Sequence, residues 1–144
     1  MLLLLLPEQV SPYWEDIKEG IERTLPPGMS DRSQRILTAI LDGTIQVWIS
    51  YRGKGEDKVV DGVALTKIEN DDEIFGIRDL ALFCLWAIEK THESTWREGL
   101  KALLDFGRSK GCNRLTGWSD VPLLINIIKD AGGEARYTFL TLPI

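Results

Sequence analysis

The sequence predicts one mixed α/β domain with an antiparallel meander at its centre, and three observations carry that expectation. Two stretches of helical period precede residue 43. At Thr44 the apolar period drops from 3.6 to 2, and three strand-like runs follow one another. Strand-like and helical stretches then alternate, so the second half reads strand–helix–strand–helix–strand. A chain of 144 residues suits a single domain over 1–144.

Each element has a local signature. Residues 2–6 are all leucine and are closed by Pro7, which reads as a buried first strand. A signal peptide is not expected there, because no basic stretch precedes the short run and no small-residue cleavage site follows it. Ser11 suits an N-cap with Pro12 at the first helical position, and Tyr13, Ile17, Ile21 and Leu25 recur every four residues. Pro26, Pro27 and Gly28 stop that helix. Ser30 or Asp31 caps a second one, with Ile36, Leu37, Ile40 and Leu41 as its stripe and Gly43 beyond its end.

Residues 44–51 alternate, with Ile45, Val47 and Ile49 on one face and Trp48 on the other. Residues 53–57 form a polar, glycine-rich turn, and residues 59–68 the partner strand. A turn at residues 70–72 leads into a long apolar run, 74–88, read as a central strand with room for a bulge. Ser94 then caps a helix carrying Trp96, Leu100, Leu103, Leu104 and Phe106, which Lys110 and Gly111 end. Residues 114–118 are a short strand. Ser119 caps a helix over 120–130 that buries Leu124, Ile125 and Ile128, and Gly132 and Gly133 close it. Residues 134–142 are expected as a last strand, with Tyr137, Phe139 and Leu140 packing.

Composition narrows the function classes. The net charge of −5 argues against a duplex or membrane-surface binder, since both need clustered Lys and Arg, so neither a nucleic acid nor a membrane is expected as partner. No run reaches the roughly 20 apolar residues of a membrane span. Two cysteines, Cys84 and Cys112, make no disulfide framework and no metal spacing, and are expected as reduced thiols of a cytoplasmic protein. A single histidine, His92, argues against zinc.

The order strand, two helices, three-strand meander, helix, strand, helix, strand resembles that of the GNAT acyltransferase superfamily. Three segments carry the resemblance: "TIQVWISYRGKGEDKVVDGVALTKIE", "WREGLKALLDFGRSKGCNRLTGWS" and "VPLLINIIKDAGGEARYTFLTL". The resemblance covers nearly the whole chain as a pattern rather than as a tight motif. It implies a mixed, mostly antiparallel central sheet with helices on both faces. It implies acetyl-CoA as cofactor, in the splay between the fourth and fifth strands, along the backbone of Leu82, Cys84 and Trp86. Lys90, Ser94 and Thr95 would favour its phosphates, as donors near a helix N-terminus. Small, divergent chains of this kind are frequent in tailed phages, which implies host cytoplasm or virion.

Two departures bear on activity. The family's phosphate loop carries glycines so that the phosphates can approach the backbone. The matching "EKTHESTWREG" has none before Gly99, and Glu89 and Glu93 add negative charge. The family's closing helix often carries an Asn and, seven residues later, a Tyr that protonates the departing thiolate. Those positions are Val121 and Ile128, neither of which can transfer a proton, and Tyr137 is not the same position.

Candidates for a general base are Glu69, Glu73 and Asp79, on or near the fourth strand, with Asp79 the strongest because it heads an apolar run. A turn or bulge residue paired with Arg78 or another cation is the competing reading of Asp79. His92 reads as a solvated loop residue, and Cys84 as a buried structural thiol. Trp48 and Trp118 stand out of phase with their strands, as core, rim, cleft wall or partner surface. Two functions follow. One is a GNAT fold kept as a binding or structural module, with a protein partner or a homo-oligomer, in phage assembly or a virion. The other is an acyl-CoA-dependent N-acetyltransferase with an atypical coenzyme A site. The missing glycines and the missing acid favour the module.

Overall fold

A computed structural model of the chain describes residues 1–26, 31–71, 74–87, 91–119, 121–136 and 140–144. Five strands form one sheet in the order β1-β2-β3-β4-β5: β1 (Leu2–Leu5), β2 (Ile45–Arg52), β3 (Val59–Asp71), β4 (Ile77–Ala87) and β5 (Arg114–Gly117). The first four pair antiparallel, and β5 runs parallel to β4. Helices α1 (Trp14–Thr24) and α2 (Arg32–Leu41) follow β1; α3 (Glu93–Ser109) joins β4 to β5; α4 (Pro122–Asp130) follows β5. The order through α4 and the mixed sheet are those read from the sequence.

The alternation in β2 divides the core as expected. Val47 and Ile49 face one cluster with Ile17 and Ile21 of α1, Ile40 of α2, and Val63 and Leu65 of β3. Trp48 faces the other cluster, with Leu80 of β4 and Leu103 of α3. So α1 and α2 cover one face and α3 the other. Trp48 is core: its ring meets Phe106 edge to face at 5.2 Å, and its Nε1 donates to Thr66 Oγ1 at 3.0 Å. Thr66 in turn donates to Gln46 Oε1, so the buried indole N–H and hydroxyl are both satisfied. Cys112 is half-buried against the same cluster.

Several expected boundaries move, each for a local reason. Ser11 and Pro12 lie in a 3₁₀ turn, Ser11–Tyr13, and α1 starts at Trp14 with Tyr13 at the cap position. Asp31 stands at the cap of α2 but accepts from Arg35 Nε instead of capping, while Ser30 lies outside the described residues. The proposed turn at residues 70–72 is overridden by pairing, since β3 runs on through Asp71 opposite Ile77. Ser94 does not cap α3. His92 holds that position, its carbonyl accepting from Thr95 and Trp96. Pro122 opens α4 behind Val121, and Ser119 Oγ accepts the Val121 N–H one turn earlier. In α4 the buried residue is Ile127, while Leu124, Ile125 and Ile128 are half-buried.

The last expected strand is corrected where it is described. Residues 134–136 and 140–144 form no ladder, and Leu140 and Leu142 are 84% and 86% exposed. Alternating apolar residues make a strand only against a partner backbone in register. Tyr137 and Phe139 lie outside the described residues.

Candidate functional site

The site is built where β4 changes partners. Along β3 the register of β4 skips one residue: Leu65 pairs with Cys84 and Thr66 with Leu82, so Phe83 is the extra residue of a bulge. The bulge sets Phe83 and Cys84 on the same face, toward α1 and α2, whereas Leu80, Leu82 and Leu85 face α3. On the other edge β4 pairs with β5 only from Asp79–Arg114 to Leu82–Gly117. Residues 83–87 continue past the last β5 pair, so the two strands diverge at the bulge and form a V.

The closed end of the V is laced. Arg78 N–H donates to Asn113 Oδ1 at 3.0 Å, and Asn113 N–H returns a bond to the Arg78 carbonyl at 2.9 Å. Asn113 Nδ2 donates to the Gly76 carbonyl, and Arg78 Nε to the Lys110 carbonyl. Arg114 then forks onto both oxygens of Asp79, Nε to Oδ1 and Nη2 to Oδ2, each at 2.8 Å. At the vertex a Cβ on Gly117 would lie 3.0 Å from the Leu82 carbonyl oxygen, so the backbones meet there because residue 117 has no side chain.

The open end is different. β4 reaches it with Trp86, which packs on Gly20 of α1 and lies under the Arg23 guanidinium, 5.3 Å from the ring centre. A Cβ at Gly20 would stand 3.1 Å from Trp86 Cβ, so this close approach also needs glycine. The level of the sheet defined by the pairs Ser50–Gly62 and Gly62–Ala87 carries buried polar atoms without hydrogen-bond partners among the described residues: Ser50 Oγ, Asp61 Oδ1 and, one residue before Ala87, Trp86 Nε1. Asp61 is itself the extra residue of a second bulge, between the Ser50–Gly62 and Tyr51–Val60 pairs.

The first turn of α3 lies near this end, since it follows β4 in the chain. Thr95 and Trp96 N–H are taken by the His92 carbonyl, leaving Glu93 and Ser94 N–H without partners among the described residues. Glu93 sits at the positive end of the helix dipole. It is drawn back by Arg97, which also reaches Asp130 of α4 at 3.0 Å. Both bonds push the Arg97 guanidinium further toward its charged form, Glu93 contributing most.

The candidate residues fall as follows. Asp79 is 8% exposed, and Arg114 rather than Arg78 holds both of its carboxylate oxygens. Glu69 stands directly opposite Asp79 on β3, is exposed, and pairs with Lys67 at 2.9 Å. Leu82 is the last residue paired with β5, at the vertex. Cys84 is buried, and its Sγ lies 3.0 Å from Thr24 Oγ1. Thr24 spends its proton on the Gly20 carbonyl, so the thiol must be the donor. Burial pushes the Cys84 thiol up, against the Arg32 charge. Its side chain thus faces α1, and only its backbone belongs to the V. Ser94 offers a backbone N–H and Thr95 does not. His92 is exposed at the start of α3, and Trp118 is exposed just past β5. Glu73, Glu89 and Lys90 lie outside the described residues. No group of three or more His, Cys, Asp or Glu suited to a metal exists among the described residues.

Sequence reading missed Arg114, Thr24, Phe83 and Gly117 as site builders. Only Gly117 left a signal, as a glycine inside a strand pattern.

A mostly antiparallel five-strand sheet flanked by helices is the fold of the GNAT acetyltransferases, and the chain has that fold. A probable acetyltransferase superposes with a TM-score of 0.75 at 11% identity, over 100% of this chain and 97% of the other. An aminoglycoside N-acetyltransferase in complex with CoA gives 0.70 at 14% identity, over 100% and 93%. A predicted acetyltransferase with acetyl-CoA from Clostridium acetobutylicum gives 0.68 at 11%, over 99% and 95%. No protein-family model and no curated protein matches the sequence. Among the described residues no helix is long and apolar enough to cross a membrane.

Proposed function

We propose that the chain binds an acyl-coenzyme A in the V between β4 and β5 and presents its acyl group to an amine. The observation that carries this reading is the bulge at Phe83 together with the end of β5 pairing at Leu82–Gly117. An extended ligand arm with amide groups fits there, because residues 83–87 of β4 run on beyond the last β5 pair and so leave that edge for a strand-like partner. Solved structures of the same fold with CoA and acetyl-CoA support the choice of ligand. The fit is weaker at the phosphate end, where among the described residues only the Glu93 and Ser94 N–H groups are offered, with the Glu93 carboxylate beside them. A thioester supplies an activated carbonyl. The chain's own contribution is to hold it at the vertex, walled by Leu82 and Gly117, so catalysis is by positioning. Calorimetric titration with acetyl-CoA and CoA tests the binding; one-to-one saturation is expected. The absence of both heat and thermal shift at millimolar ligand would sink it.

A second reading, a ligand-holding or structural module without turnover, in a virion or its assembly, is favoured by one observation. Asp79 and Glu69, at the closed end of the β4–β5 ladder, are both committed to cations, and Ile128 stands where an acid would be expected. Release of free thiol from acetyl-CoA with a panel of primary amines separates the two. Saturable binding with no thiol release selects the module.

A further inference from the structure

We infer that the Asp79–Arg114 pair is a positioning device. It fixes the level at which β4 and β5 diverge, and so the depth at which a ligand's reacting end comes to rest. The ligand half of this inference rests on the acyl-coenzyme A reading; the mechanical half does not.

The ladder between β4 and β5 runs only from Asp79–Arg114 to Leu82–Gly117. So short a parallel ladder has few bonds of its own to hold its register. It is pinned at both ends by different means. Gly117 lets the backbones close to contact at the vertex, and the two-pronged Arg114–Asp79 bond holds the start. A slip of one residue would set Thr116 or Trp118 beside Leu82 and move the vertex by about 3.3 Å. A misplacement of even about 1 Å at a reacting centre can cost about a hundredfold in rate.

The pair has a second task on the same level. Glu69 and Asp79 stand directly opposite each other on β3 and β4, and like charges so placed repel. Lys67 answers Glu69, and Arg114 answers Asp79. Alternation puts Lys67, Glu69, Asp79 and Arg114 on the face away from α3, since Ile68, Leu80 and Leu115 all pack toward α3. Loss of Arg114 would therefore leave Asp79 repelled by Glu69 and free β5 to peel from its first residue.

The test uses the full chain with Asp79→Asn, Arg114→Gln and Arg114→Lys. Two readouts are followed: amide hydrogen exchange across the sheet and calorimetric affinity for CoA, with circular dichroism confirming the fold. Asp79→Asn and Arg114→Gln should speed exchange at residues 115–117 by about tenfold, with β2 and β3 unchanged. They should weaken CoA binding by about the same factor, and Arg114→Lys, which keeps the charge but not the fork, should fall between. Folded variants with native protection at residues 115–117 overturn the inference. So does uniform loss of protection with unchanged affinity, the mark of a purely structural pair. If the unaltered chain binds no CoA while residues 115–117 lose protection selectively, the acyl-coenzyme A reading falls and the clamp stands.

Discussion

The two ends of the sheet are held by opposite means. At the closed end every polar group named on Arg78, Asp79 and Asn113 has a partner, through four hydrogen bonds between β4 and Asn113 or Arg114, plus one from Asn113 to the Gly76 carbonyl and one from Arg78 to the Lys110 carbonyl. At the open end Ser50 Oγ, Asp61 Oδ1 and Trp86 Nε1 are buried without partners among the described residues. Buried polar atoms are nearly always satisfied, and exceptions call for a water, an ion or a ligand to explain them. The comparison teaches that this chain anchors its sheet where β4 meets β5 and leaves unmet bonding capacity where they diverge.

The largest expected effect breaks that contrast at the vertex. Gly117→Val puts a branched side chain against the Leu82 carbonyl, where even a Cβ would stand at 3.0 Å. The strands must then separate earlier along the ladder, at a cost of about 1–3 kcal/mol. A fall in the urea midpoint should accompany lost protection at residues 115–117; a variant as stable as the parent would show that the contact is not tight.

Two tryptophans sharpen the comparison from within. Trp48 Nε1 donates to Thr66, whereas Trp86 Nε1 has no acceptor among the described residues. Replacing each with Phe removes the same indole N–H group. Trp48→Phe should cost about 1–2 kcal/mol, since Thr66 and Gln46 lose their third member. Trp86→Phe discards an unpaired donor and only weakens the Arg23 contact, so it should cost less than about 1 kcal/mol. Denaturant unfolding of the pair decides it, and equal losses would mean that Trp86 Nε1 has a partner after all.

Cys84 lies at the boundary between the two ends and reports on it through pH. Its thiol is raised by burial in the native state, so above the ordinary thiol value, about 8.5, the unfolded chain loses a proton that the native chain keeps. Fewer protons bound when unfolded means that stability falls as pH rises. The contribution is whole below about 8.5 and drains away as pH climbs toward the raised native value. Cys84→Ala should flatten that alkaline slope in the urea midpoint; a slope unchanged by the substitution would place the titration elsewhere.

These residues also show what a sequence can and cannot say. The division of β2 into Ile45, Val47 and Ile49 against Trp48 was legible because side chains alternate whatever the partner strand. The helix stripes through Ile17 and Ile21 were legible for the same local reason. Asp79 looked like a base because its cation lies 35 residues away, and nothing local to either residue announces the pair. Phe83 became a bulge only through the register of β3 against β4. Residues 134–142 carried a strand pattern, yet those described in it lack the partner backbone that a strand requires. Local periodicity wrote the scaffold, and long-range pairing wrote the site.

The smallest expected effect concerns Glu69, another of the carboxylates first read as a candidate base. It is exposed and paired with Lys67, an arrangement in which solvent screens most of the attraction. Glu69→Gln should change stability by less than about 1 kcal/mol. It also relieves the repulsion of Asp79 across the β3–β4 pair, so the net sign should lean toward stabilisation. If the chain transfers acyl groups by positioning alone, the pH profile of thiol release should be the same in the Gln variant and the parent. A profile that loses its basic limb would instead make Glu69 a proton acceptor, and would move the chemistry from the vertex to the β3 side of the closed end.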